Sequence, residues 1–224
     1  MPFHYYDDKL AAEKLRAVYE IAPRRVQQYL NAEIEHVLGL TEPGDIVLEL
    51  GCGYGRVMRR LAPEAGELFG IDTSLSSLRM ARDFLSGQAN VYLARMDAVN
   101  LAFGDPCFDV VICIQNGISA FHVDQKRLIS EGVRVTRKGG LVLFSSYSAK
   151  FWDDRLHWFE LQSRHGLLGE LDYARTGDGV IVGKDGFTAT TVDEEGFRAL
   201  TRDLDAGVSI VEVDGSSVFC EIRP

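Results

Sequence analysis

The chain has 224 residues, 46% apolar and 25% charged, a length and balance that can bury a core without disulfide or metal staples. Its formal net charge of −9 argues against a nucleic-acid partner, whose phosphates call for Lys and Arg. Four scattered cysteines with no CxxC pair, and no histidines at ligand spacing, give no reason to expect a metal.

In chain order, the opening "MPFHYYDDKLAAEKL" lacks the basic-then-apolar pattern of a signal peptide, and no window approaches a membrane span. A cytoplasmic protein with reduced thiols is the expectation. From Asp7 to about Leu40 the spacing is helical, with Val26, Tyr29, Leu30, Ile34, Val37 and Leu38 on one face. "EPGD" (42–45) breaks it, and strand then alternates with helix. Strands are predicted at 46–50, 67–72, 90–97, 108–114 and 141–147, with helices at 55–62, 74–86 and 124–136 between them and "RKGG" as the last helix's stop. Arg56, Arg59 and Arg60 read as a solvated helix face. Residues 149–168 read as a helical cover, followed by a β-meander with turns at 177–179 and 184–186. A helix capped by Asp193 and two strands around Asp214-Gly215 close the chain.

This pattern predicts an α/β, doubly wound, mostly parallel sheet of Rossmann-like form, with an antiparallel C-terminal hairpin and an inserted cover and β-meander. The expected organisation is a helical cover (1–40), a nucleotide-binding core (41–148), the insertion (149–192), and a helix and hairpin completing the sheet (193–224). Ligands of such folds bind at the carboxyl ends of the strands, so the informative residues follow each strand.

After the first strand comes "GCGYG", a turn where absent Cβ atoms let a ligand approach the backbone. The dinucleotide pattern G-x-G-x-x-G is not met, because its third glycine position is Arg56. Glu49, two residues before the turn, opposes a pyrophosphate and suits a cationic amine. Asp72 stands 21 residues beyond Gly51, the spacing for a carboxylate on ribose hydroxyls. Asp97 follows the third strand, where it could accept from an adenine amino group. Three acids, each behind its own strand, point to a nucleotide that carries an amino acid.

On "VLELGCGYGR" (47–56), "GIDTS" (70–74), "MDAVNLAF" (96–103), "FDVVIC" (108–113) and "KGGLVLFS" (138–145), the chain resembles class I S-adenosylmethionine-dependent methyltransferases of the small-molecule type. The likeness covers residues 45–147 in the family's order and implies S-adenosyl-L-methionine as cofactor. It further implies that Glu49, Gly51 and Gly53 hold the methionine end, Asp72 and Thr73 the ribose and adenine, and Asp97 and Ala98 the adenine edge. Ile114 and Gln115 would line the sulfonium side. Ala102 replaces a frequent proline of the family, and 115–118 is not the Asn/Asp-Pro-Pro-aromatic signature of nucleic-acid base methylation.

The implied reaction is in-line methyl transfer to an O, N, S or C atom of a small acceptor, which requires positioning more than a dedicated catalytic group. His122 ranks first as general base, ahead of His157 and His165. Tyr6, Tyr147, Trp152, His157 and Trp158, with Tyr5 and Phe159, are candidate walls of an acceptor pocket, although packing explains aromatics equally well. No membrane partner is expected, and a homodimer stays open. The alternatives are a tRNA or protein methyltransferase, a dehydrogenase-like enzyme, and a binding-only module of the same fold.

Overall fold

The computed structural model describes residues 12–104 and 106–224. Seven strands form a sheet in the order β3-β2-β1-β4-β5-β9-β8. These are β1 (Ile46–Leu50), β2 (Glu67–Asp72), β3 (Val91–Arg95), β4 (Phe108–Cys113), β5 (Thr136–Tyr147), β8 (Gly207–Val213) and β9 (Ser217–Arg223). The first five run parallel, and β9 pairs antiparallel with both β5 and β8. The helices are α1 (Glu13–Glu20), α2 (Arg24–Leu38), α3 (Met58–Leu61), α4 (Leu75–Phe84), α5 (Gly117–Ala120), α6 (Gln125–Val135), α7 (Trp152–Arg164) and α8 (Glu194–Thr201). A separate two-stranded sheet, β6 (Ile181–Val182) with β7 (Thr188–Ala189), lies in the insertion. The doubly wound architecture is that read from the sequence.

Alternation along the central strands divides the core in two. Val47, Val110, Ile112 and Leu143 pack against α2, α3 and α4, while Leu48, Val111, Val142 and Phe144 pack against α6 and α8. β1 and β4 are thus apolar on both faces, as strands covered by helices on both sides must be. A third cluster joins Val26, Tyr29 and Leu30 of α2 to Tyr147, Phe151, Trp158 and Phe159, roofing the carboxyl end of the sheet.

Three local expectations change. The N-terminal helix is two helices, because Pro23 at the start of α2 disfavours helical backbone in the residue before it. The helix after β1 starts only at Met58, so Arg56 precedes it and turns inward, while Arg59 and Arg60 remain exposed. β5 begins at Thr136, five residues early, with its register against β4 shifting between Phe108 and Val110, so "RKGG" is strand rather than a stop.

One buried charge joins these parts. Glu33, on the inner face of α2, is 0% exposed. Its Oε2 accepts from the Gln115 backbone N–H (2.6 Å) and the Ser145 hydroxyl (2.9 Å), and its Oε1 from the Ser217 hydroxyl (2.6 Å). Burial raises its carboxyl to about 7, against the lowering effect of those donors. A carboxyl raised in the folded state contributes stability that is present below its unfolded value and lost as pH rises through about 7. Glu33→Ala, which strands three buried donors, is expected to cost about 2–4 kcal/mol in urea unfolding. In Glu33→Gln the fall of stability between roughly pH 4.5 and 7 should be shallower than in the parent.

Candidate functional site

The sheet's order reverses between β1 and β4, and at their carboxyl ends lies a cavity of about 270 Å³. Its floor is the glycine turn. Gly51, Gly53 and Gly55 have φ of +75°, +54° and +87°, backbone that side chains with a Cβ rarely adopt. A Cβ on Gly51 would stand 2.6 Å from Cε1 of Phe121, so this glycine also makes room for the ring behind it. The N–H groups of Gly51 and Cys52 both donate to the Ile71 carbonyl at 2.9 Å, which pins the turn to β2.

Asp72, at the end of β2, uses one carboxylate oxygen for each neighbouring element. Oδ2 accepts from the Gly53 N–H and Oδ1 from the Ser74 N–H, both at 2.8 Å. Ser74 then caps α4 by accepting from the Ser77 N–H. Asp97, exposed after β3, accepts from the Val99 N–H at 3.1 Å, with Ala98 buried beside it.

Glu49 lies deeper, 5% exposed, and its Oε2 has no hydrogen-bond partner among the described residues. Burial pushes its carboxyl up to about 8, opposed by Arg56 and reinforced by Asp72. Arg56 donates from Nη2 to Gln115 Oε1 and stands 4.4 Å over the Tyr19 ring. Its buried Nε has no hydrogen-bond partner among the described residues. Gln115 and Asn116 follow β4 with φ of +57° and +65°, two left-handed non-glycine residues in succession. They are held there by Glu33 and Ser145 on the Gln115 N–H, and by Ser146 and the Thr190 carbonyl on the Asn116 amide.

Glu49, Gly51, Gly53, Asp72, Thr73, Asp97, Ala98, Ile114 and Gln115 all line this cavity, as do His122, Tyr147 and Trp158. Three other candidates do not. Along α7 the inward stripe is Arg155, Trp158, Phe159 and Gln162, at helical spacing. His157 falls outside that stripe, its side chain 54% exposed and 3.8 Å from Glu160. Trp152, at the start of α7, packs half-buried on the roof cluster away from the cavity. His165 is exposed at the end of the helix, with Nδ1 2.8 Å from the Leu161 carbonyl. Tyr5 and Tyr6 lie outside the described residues. Sequence reasoning missed Tyr19, Tyr29 and Gln162 as cavity walls and placed Arg56 in solvent. It also passed over Glu33, whose signal was a carboxylate interrupting the apolar face of α2.

The arrangement combines an acidic recess, a backbone cradle and two further carboxylates, followed by an aromatic chamber. It suits an elongated ligand with a cationic end and hydroxyl-bearing middle. Gly51→Ala, which meets Phe121 in a left-handed backbone position, is expected to lower stability by about 1–3 kcal/mol in thermal or urea unfolding.

Comparison with known proteins comes from both sequence and structure. A family model described as a methyltransferase domain matches residues 47–140. The chain is 28% identical over 164 residues to 2-methyl-6-phytyl-1,4-hydroquinone methyltransferase of Synechocystis sp., covering 67% of this chain and 50% of that protein. It is 30% identical over 134 residues to a ubiquinone biosynthesis O-methyltransferase of Alkalilimnicola ehrlichii, covering 58% and 51% respectively. The chain thus spans about half the length of these curated relatives. Among solved structures, the PH0226 protein of Pyrococcus horikoshii shares the fold with TM-score 0.66 at 21% identity, covering 100% of this chain and 96% of that one. The N-methyltransferase NodS of Bradyrhizobium japonicum, in complex with S-adenosyl-L-homocysteine, shares it with TM-score 0.60 at 17% identity, covering 96% and 98%.

Proposed function

Residues 47–140 belong to the methyltransferase-domain family, and from that premise we propose that the chain moves a methyl group from S-adenosyl-L-methionine to a small-molecule acceptor. The observation that carries the reading is Glu49, a buried carboxylate with an unpartnered oxygen beside a glycine cradle, which fits the ammonium of the cofactor's methionine end. An isolated buried charge is costly unless paired, so the recess is suited to a cation. The glycine turn lets backbone close on the same end. Asp72, fixed by an N–H on each oxygen at the end of β2, presents its carboxylate to the ribose hydroxyls, with Thr73 alongside. Asp97 and the Ala98 N–H read the adenine edge, while Ile114 and Gln115 face the reacting end.

When bound, the cofactor supplies a sulfonium methyl that is electrophilic without further activation. The chain's own task is then placement and exclusion of water. The paired left-handed residues Gln115 and Asn116 fix one wall, and Tyr147 and Trp158 close another. His122, exposed and lining the cavity, is the side chain assigned here to take a proton from an acceptor.

S-adenosylhomocysteine at about 100 times its Kd is expected to stabilise the protein by about 2.7 kcal/mol, read as a raised Tm, while NAD and NADP leave it unchanged. Stabilisation by NAD in place of S-adenosylhomocysteine would overturn the reading. In calorimetry Asp72→Ala should weaken S-adenosylhomocysteine at least about tenfold, the loss of a charge-assisted contact. Because Glu49 must ionise to hold an ammonium, affinity should rise with pH up to about 8, by as much as about tenfold per unit. Binding should release a proton, seen as a heat that depends on the ionisation enthalpy of the buffer. Glu49→Gln should bind more weakly and abolish that dependence.

A further inference from the structure

Two buried polar side chains of the cavity lining are not used by the cofactor reading. Tyr29 on α2 is 0% exposed, and its hydroxyl has no hydrogen-bond partner among the described residues. Gln162 on α7, 2% exposed, lines the same cavity. A buried polar group without a partner is destabilising, so the Tyr29 hydroxyl points to a ligand that completes it, with the Gln162 amide in the same lining as a second polar contact. Around them stand Tyr19, Tyr147, Trp158 and Phe159. Trp158 gives its indole N–H to the Val18 carbonyl at 3.0 Å, so its ring presents only apolar surface. Flat walls of this kind stack on a flat partner.

Aromatic walls can also attract an ammonium, but here the chain's own guanidiniums are already against them. Arg56 stands 4.4 Å from the Tyr19 centroid, and Arg155 stands 4.5 Å from Tyr147 and 5.6 Å from Phe159. A ring already engaged by a guanidinium has less attraction to offer a second cation, so these walls favour an uncharged partner. Burial keeps the Tyr147 hydroxyl protonated, with its ionisation pushed up to about 12 despite Arg155. That hydroxyl and the Gln162 amide are neutral groups able to donate and accept.

We propose that the acceptor is an uncharged, hydroxyl-bearing aromatic ring, stacked within the Tyr19–Tyr147–Trp158–Phe159 walls and recognised by the Gln162 amide and the Tyr29 hydroxyl. This rests on the methyltransferase reading above, and the test separates the two. Protein saturated with S-adenosylhomocysteine is titrated in a calorimeter with phenol, catechol and hydroquinone, and in parallel with benzylamine and ethanolamine. At least one of the hydroxylated rings should bind at least about tenfold more tightly than either amine. Gln162→Leu and Tyr29→Phe should each weaken that ring by about five- to thirtyfold, with the Kd for S-adenosylhomocysteine unchanged within twofold and Tm not lowered. Tighter binding of the amines, no binding of any hydroxylated ring, or unaltered ring affinity in both variants overturns this inference while leaving cofactor binding intact. Failure of S-adenosylhomocysteine itself to bind the unmodified protein overturns the underlying methyltransferase reading instead.

Discussion

The carboxylate of Glu33 is the interaction on which the geometry of the site depends. It accepts at once from the end of β4, from β5 and from β9, so one side chain of α2 ties the N-terminal helix to three strands of the sheet. Fully enclosed, it meets the requirement that a buried charge or polar acid be hydrogen-bonded. Its bond to the Gln115 N–H matters most, because Gln115 occupies left-handed backbone that a glutamine rarely adopts, next to Asn116, which tolerates it better. Glu33 and Ser145 on one residue, and Ser146 and Thr190 on the next, hold this turn in place. This wall of the cavity is therefore fixed by elements remote in sequence.

A second carboxylate is treated in the opposite way. Glu49 is also buried, yet one of its oxygens has no hydrogen-bond partner among the described residues, and burial holds its proton on to about pH 8. Glu33 is satisfied by the fold, while Glu49 is not. Arg56 stands near both and lowers both, through a guanidinium that binds Gln115 and lies over Tyr19. It thereby links the glycine turn, the β4 turn and the aromatic roof.

Much of the fold was legible because doubly wound sheets announce themselves through continuous apolar strands and regularly spaced helices. Gly51, Gly53, Asp72 and Asp97 were legible for the same reason, since a strand's end fixes where the next residue points. Boundaries were less so. Pro23 splits a helical pattern whose apolar spacing runs through it, and β5 gains residues by pairing with β4 through a glycine-containing bulge. The aromatic roof was read only in part. Trp158 and Trp152 differ by six positions on α7, and composition does not tell which face of that helix meets the cavity.

What the sequence by itself determined was the sheet, the order of its strands' functional ends, and the acids and glycines that follow them. These are consequences of local periodicity and of chain direction within parallel strands. Tertiary structure alone decided that Arg56 turns inward, that Glu33 is a buried anchor, and that Tyr29 and Gln162 face a shared cavity with Trp158 while His157 faces water. Those outcomes depend on which long-range partner each side chain meets. Hydrogen-bond satisfaction and burial are set by elements more than a hundred residues apart, as between Glu33 and Ser217, and no local pattern encodes them.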